Sequence, residues 1–187
     1  MKLELEDNVE FLYHYYEKEI GPFVSLSNMT LENAQIIQDS LKVKNKTFAA
    51  QRYEGYLARR QYLEQLVRTM FIEKGGSPIR QTPHYMVIGE CPWLSTWYED
   101  SAYVRIPIKE FDMNTVSFTY GDTFPTFSPN VTDDLEYRRQ VYTFSEILEI
   151  IDKYGLPQDS WNEPVFAKPC YVEAQVWSDT PIQNYFP

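Results

Sequence analysis

With 187 residues, 16% of them aromatic, the chain has the length of one domain and enough apolar surface for a real core, which excludes a disordered protein. The net charge of −10 excludes loose binding to bulk nucleic acid or anionic lipid. The chain lacks a long apolar run, the residue order of a signal peptide and a disulfide framework. These features predict one cytoplasmic domain over residues 1–187, with no membrane partner.

Basic residues are concentrated in the middle of the chain. Residues 42–80 carry nine Lys or Arg against three Glu, which leaves a net charge of −16 on the other residues. An ordinary solvated helix face is one interpretation of this asymmetry, and a binding surface is the other.

The first elements are a strand and a short helix. Residues 10–16 are aromatic and typical of a strand, and Gly21-Pro22 then breaks the pattern. Thr30 is positioned to cap a helix whose apolar residues recur at steps of three or four, up to a polar turn at residues 42–46.

A second and longer helix is predicted from Thr47 to Lys74, where Gly75-Gly76 ends it. Arg52 and Arg59 lie seven residues apart, so in one continuous helix they share a face. The sequence thus predicts basic charge presented from a rigid rod.

Three strands and a loop follow. Residues 83–89 and 116–120 have strand patterns, and residues 103–108 form a strand whose Pro107 indicates an edge position. In 116–120 the apolar residues alternate with Ser and Thr, which predicts one apolar and one polar face. Residues 123–134 are rich in proline and small polar residues and predict a long loop.

The last elements are a helix and a strand. Thr143 and Glu146 form a capping box, and Gly155 ends the helix that follows. Residues 171–177 predict the final strand. Together these elements predict a single α+β domain of mainly antiparallel strands, with an N-terminal pair of helices and one C-terminal helix.

The final strand carries the first candidate catalytic residue. Its period of two gives one face of small aliphatic residues, and a second face with Tyr171, Glu173, Gln175 and Trp177. A carboxylate between two aromatic rings suits a catalytic acid, a base or a stabiliser of an oxocarbenium ion. A solvent-facing Glu on a strand is the other interpretation.

Histidines and cysteines offer few further candidates. His14 shares a strand face with Leu12 and Tyr16, which leaves open a core histidine, a ligand anchor or a general base. The remaining side chains of zinc-ligand type are those of His84, Cys91 and Cys170. Because no two of them have metal-ligand spacing, no metal site is expected, and the cysteines are expected to be buried thiols.

Four segments carry a resemblance to known families. They are residues 12–15 (LYHY), 83–89 (PHYMVIG), 116–122 (VSFTYGD) and 171–177 (YVEAQVW). They resemble an uncharacterised family common in clostridia and bacilli. More distantly, their order is similar to that of the ADP-ribosyltransferases, especially the toxins that modify thymidine in DNA. In those toxins an early strand carries a His motif and a late strand holds the catalytic Glu.

This resemblance implies NAD as substrate and a macromolecular acceptor such as a nucleic acid. It implies that Glu173 stabilises the ribose oxocarbenium ion, His14 holds the nicotinamide ribose and Tyr85 stacks on nicotinamide. Arg52 is then the cation for the diphosphate or an acceptor phosphate. The chain lacks the second acidic or amide residue of arginine-modifying members, so arginine is not expected as the acceptor.

A non-enzymatic function is the alternative. The charge of −16 outside the central segment and the 15 tyrosines favour an acidic interaction protein. Such a protein would occupy the groove of a nucleic-acid-binding partner, as anti-CRISPR-type inhibitors of nucleases do, with carboxylates in place of phosphates. Its binding would weaken steeply with salt.

Overall fold

The computed structural model describes residues 9–44, 55–160 and 168–186, and within them five antiparallel strands form one sheet. The strands are β1 (Phe11–Glu17), β2 (His84–Ile88), β3 (Ser101–Pro107), β4 (Val116–Tyr120) and β5 (Val172–Val176), in the order β3-β1-β2-β5-β4. The helices are α1 (Leu31–Lys44), α2 (Tyr56–Glu73), α3 (Pro92–Ser95), α4 (Thr123–Thr126), α5 (Phe144–Tyr154) and α6 (Pro157–Ser160). The predicted α+β class is confirmed. No helix in these ranges is both long and apolar enough to cross a membrane.

One face of the sheet packs against α5 to form the main core. Val172, Ala174 and Val176 point into this core from β5, as the period of two predicted. Ile147 and Ile151 of α5 join them. The capping box predicted at the start of α5 is present. The alternation in β4 and the edge position of β3 are also confirmed.

Two predicted elements are wrong in extent. The long helix does not run through from Thr47, because Gly55 takes a left-handed backbone with φ of 84° and α2 begins after it. Thr47 and Arg52 lie outside the described residues, so the shared face with Arg59 has no support. The predicted loop of residues 123–134 opens with the short helix α4, because the Asp122 side chain accepts from the Phe124 N–H and caps it.

The sheet opens between β1 and β2. These two strands pair at only two positions, Leu12 with Ile88 and Tyr13 with Val87. On its other side β1 pairs with β3 at seven positions, from Phe11 to Glu17. Beyond Tyr13 the strands β1 and β2 therefore separate, and a gap opens in the middle of the sheet.

Candidate functional site

A cleft of about 520 Å³ lies at the opening between β1 and β2. Its volume is within the range of sites for small molecules and cofactors. His14 of β1, Tyr85 of β2 and Glu173 of β5 all line it. Its aromatic lining also includes the rings of Tyr13, Tyr15, Trp97, Tyr98, Phe124 and Tyr171. The three residues proposed from the sequence are thus brought to one cavity by three adjacent strands.

His14 fills the gap between the separated strands. Its Nε2 accepts a hydrogen bond of 2.9 Å from the Phe23 N–H, so this nitrogen carries no proton. Its Nδ1 is therefore the protonated nitrogen and donates to the Tyr85 carbonyl at 2.9 Å. Burial lowers the pKa of His14 to about 4, which keeps the ring neutral at physiological pH. The imidazole thus links β1 to β2 by one side-chain hydrogen bond and to the segment around Phe23 by another.

Tyr85 points to the other face of the sheet, towards α2. Its hydroxyl donates to Glu64 Oε1 at 3.1 Å, and the Arg60 guanidinium lies 4.9 Å from its ring centroid. Burial, reinforced by the Glu64 charge, raises the pKa of the phenol well above its usual range. The phenol is thus a neutral donor, and its ring is held between a cation and the cleft.

Arg60 and Glu64 form a buried ion pair that the sequence did not predict. Arg60 Nε donates to Glu64 Oε1 at 3.0 Å, and the two side chains are 13% and 1% exposed. The same oxygen also accepts from Ser27 Oγ at 2.6 Å. Arg60 lines the cleft. The spacing of four residues in a helix was the signal that could have paired them, but nothing in the sequence places the pair at Tyr85.

Glu173 lies on the polar face of β5 and is only 7% exposed. The solvent-facing interpretation of this residue is therefore wrong. Thr123 Oγ1 and Gln175 Nε2 both donate to Glu173 Oε1, the latter at 3.0 Å. Burial, reinforced by the charge of Asp122, raises the pKa of Glu173 to about 8 despite these donors. At neutral pH most of this carboxyl is protonated.

Neighbouring polar side chains fix the position of Glu173. Gln175 Nε2 also donates to Thr119 Oγ1, and Gln175 Oε1 accepts from Ser117 Oγ at 2.8 Å. Trp177 Nε1 in turn donates to Ser117 Oγ at 2.9 Å. All of these groups are buried. A satisfied network of this kind holds the carboxyl in one place at the floor of the cleft.

Asp122 controls the charge around Glu173. Its Oδ2 accepts from the Tyr171 hydroxyl at 2.9 Å, while its Oδ1 caps α4. Gly121, just before it, has φ of 107°, a backbone that glycine adopts freely. Asp122 and Glu173 both line the cleft, so two carboxyl groups with different partners face one space.

Replacing Asp122 by asparagine is expected to lower the pKa of Glu173. The amide oxygen can still accept from the Phe124 N–H, and the NH2 group in place of Oδ2 can donate to the Tyr171 hydroxyl oxygen instead of accepting from it, whereas the negative charge that raises the pKa of Glu173 is removed. Carboxyl 13C NMR of glutamate-labelled protein, titrated between pH 5 and 10, measures this change. An unchanged midpoint in Asp122→Asn would show that burial alone raises the pKa of Glu173.

The other predicted candidates are not among the described residues that line the cleft. Arg52 lies outside the described residues. Cys91 is buried and Cys170 is partly buried, and the two do not form a disulfide. Within residues 9–44, 55–160 and 168–186, no group of three or more His, Cys, Asp or Glu side chains is arranged to hold a metal ion.

No family model, curated protein or solved structure matches the chain. The arrangement itself is an aromatic cleft with a neutral buried acid, an adjacent carboxylate and one ion-paired guanidinium. Such a site can hold a planar ring and can stabilise a positive charge next to it once Glu173 ionises.

Proposed function

We propose that this protein is an ADP-ribosyltransferase-like enzyme, which transfers ADP-ribose from NAD to a macromolecular acceptor such as a nucleic acid. The observation that carries the proposal is the convergence of His14, Tyr85 and Glu173 on one cleft, from the adjacent strands β1, β2 and β5. Nothing in the spacing of these residues along the chain requires them to meet, since they are 71 and 88 positions apart.

The environment of Glu173 supports a role next to a cation. When the glycosidic bond of NAD breaks, nicotinamide leaves with the bonding electron pair and the ribose C1′ becomes an oxocarbenium ion. An ionised Glu173 stabilises this ion from a buried position, where charges interact more strongly than in water. The acceptor nucleophile then bonds to C1′ and releases its proton to the carboxylate. The positively charged nicotinamide of bound NAD lowers the pKa of Glu173 and so prepares the ionised form.

In this proposal Tyr85 and Arg60 contact the nicotinamide half of NAD. The Tyr85 ring offers a flat surface for stacking in the cleft. Arg60 takes the role that the resemblance implied for Arg52, because it lines the cleft. Burial lowers the pKa of Arg60, but Tyr56, Tyr85 and Glu64 together raise it by more, so the guanidinium is always charged. The ion pair with Glu64 holds it in position for a phosphate oxygen.

His14 is a positioning residue in this scheme rather than a ligand for ribose. Both ring nitrogens already have partners, Phe23 and the Tyr85 carbonyl, so neither is available without breaking a bond. By fixing the backbone of Tyr85, the imidazole sets the distance between the walls of the cleft.

The acidic interaction protein has less support from the structure. That alternative depends on carboxylates free to meet a basic partner. Several carboxylates on this surface are instead engaged within the chain, as in the ion pairs Asp133–Arg138, Glu136–Lys153 and Glu146–Lys74. The residues of the cleft therefore support the enzyme more strongly than the surface charges support an acidic interaction protein.

The test is transfer of label from NAD. The protein is incubated with NAD labelled in the adenylate half and with single-stranded DNA, duplex DNA, RNA or cell protein as acceptors, and calorimetry measures NAD binding in parallel. Tyr85→Leu is expected to lower kcat/KM by about 10-fold or more, because it removes the stacking surface. Tyr62→Leu is the matched control, since Tyr62 is 55% exposed on α2 and lies outside the cleft. Absence of both NAD binding and label transfer would overturn the proposal.

A further inference from the structure

The two histidines of this chain both line the cleft, yet their hydrogen bonding differs. His14 has a partner for each ring nitrogen. His84 is 2% exposed, and its Nε2 lies 2.8 Å from Asp179 Oδ1. Its Nδ1 is also buried but has no hydrogen-bond partner among the described residues.

The protonation of His84 follows from its neighbours. Burial by itself raises the pKa of Asp179, but the hydrogen bonds and charges of His84 and Arg80 together outweigh it and hold the pKa below its usual range. Asp179 is therefore an ionised acceptor, and the nitrogen facing it, Nε2, must carry the proton. Burial lowers the pKa of His84, helped by the Arg80 cation, so the ring is neutral. Nδ1 is consequently a bare lone pair, an acceptor and not a donor.

An acceptor in this position is expensive to leave unpaired. A buried polar atom without a partner costs about 1–3 kcal/mol, and native structures contain few of them. The rings of Phe23 and Phe186 lie 5.5 and 5.7 Å from the His84 ring and offer Nδ1 no donor. Phe186 is 40% exposed whereas Phe23 is 3% exposed, so the Phe186 side is the less enclosed side of the His84 ring.

We propose that His84 Nδ1 is a recognition site in the cleft, which accepts a hydrogen bond from an uncharged N–H or O–H group of the ligand. Asp179 and Arg80 orient the imidazole and fix its tautomer, as an acidic partner does for a histidine that must present one nitrogen. An acceptor-only group such as a phosphate or carboxylate is excluded here, because two lone pairs would face each other. The inference rests on the proposed function for its ligand, since the carboxamide, the ribose hydroxyls and the adenine amino group of NAD are all such donors.

The presence of only two histidines makes a direct test possible. The full chain is labelled with 15N at the histidine rings, which gives four nitrogen signals, assigned by comparison with His84→Phe. In the free protein His84 Nδ1 is expected at the position of an unprotonated nitrogen without a hydrogen bond. Saturation with NAD is expected to move this signal towards that of a hydrogen-bonded acceptor, while His84 Nε2 stays protonated. His84→Phe keeps an aromatic ring but has no acceptor nitrogen, and is expected to bind NAD about 5- to 10-fold more weakly, whereas His84→Gln, whose amide has a donor for Asp179 and an acceptor oxygen, is expected to bind NAD more tightly than His84→Phe.

Each outcome decides one of the two proposals. If calorimetry shows NAD binding but the Nδ1 signal does not move, the recognition site is wrong and the transferase proposal stands. A Nδ1 signal that is already hydrogen-bonded in the free protein also overturns the recognition site. If NAD does not bind, the transferase proposal fails, and titration with benzamide and adenosine then decides: a shift of Nδ1 with either supports the site, and no shift with both overturns it.

Discussion

Glu173→Gln is expected to abolish transfer and, in the same protein, to raise the free energy of unfolding at alkaline pH. Glutamine has nearly the same shape and keeps an oxygen for the Thr123 and Gln175 donors. It cannot ionise, so it loses the charge that stabilises the oxocarbenium ion, and kcat is expected to fall by at least about 100-fold. It also avoids the unfavourable ionisation of a buried carboxyl.

The stabilisation by Glu173→Gln has a defined pH window. The pKa of Glu173 rises from its ordinary value of 4.5 to about 8 on folding. Between these values the folded protein holds a proton that the unfolded chain releases, so wild-type stability falls as pH rises from 4.5 to 8 and is then constant. Each pKa unit corresponds to about 1.4 kcal/mol, so a gain of a few kcal/mol is expected for the variant at pH 9 and little gain at pH 5.

Urea unfolding at pH 5, 7 and 9 measures this effect, and Glu146→Gln is the matched control. Glu146 has its pKa lowered, since Lys74 and Thr143 stabilise its charged form more than partial burial disfavours it. Its replacement is expected to destabilise the protein at neutral pH, the opposite sign from Glu173→Gln. A Glu173→Gln protein with the same stability difference at pH 5 and pH 9 would show that Glu173 is already ionised in the folded state.

The sequence predicted the strands well because period-two patterns are local. It placed Val172 and Glu173 on opposite faces of one strand, and the structure confirms both faces. It did not predict that the polar face is covered as well. Alternation tells which residues share a face, whereas burial of that face depends on where the strand lies in the sheet and on what packs over it. β5 is an inner strand, so Glu173 is buried.

The centre of the cleft depends on contacts between distant parts of the chain. Arg60 and Glu64 were visible as an ordinary helical pair, but their contact with Tyr85 joins residues 21 or more positions apart. No sequence pattern marks the opening between β1 and β2, because the residues of both segments have the ordinary pattern of a strand. Gly55 carried a usable signal, because a glycine inside a predicted helix favours a break.

The second large effect is expected for His14→Ala. The substitution leaves the Tyr85 carbonyl and the Phe23 N–H without their partner and removes a ring stacked 4.2 Å from the Phe23 centroid. Loss of two buried hydrogen bonds and of the packing is expected to lower the free energy of unfolding by about 2–4 kcal/mol. Urea unfolding at pH 7.5 measures this loss. An unchanged unfolding midpoint would contradict the bridging role of the imidazole.

The fall in stability at acid pH, called the acid limb of the stability curve, is an independent test of His14. Folding lowers the pKa of His14 from 6.5 to about 4, so its contribution is fully present above pH 6.5 and is lost as pH falls through 4. His14→Ala is expected to lose this part of the pH dependence. His14→Gln, whose amide can donate to Tyr85 and accept from Phe23, is expected to restore part of the stability and of the KM for NAD, but not the acid limb.

Because Glu173 destabilises the fold above pH 4.5 and His14 destabilises it below pH 6.5, the wild type is expected to be most stable between these values. Glu173 of β5 and His14 of β1 thus act on opposite sides of one stability curve, and because the buried His84 also has a lowered pKa, the double variant is expected to remove the fall at alkaline pH and to reduce the fall at acid pH.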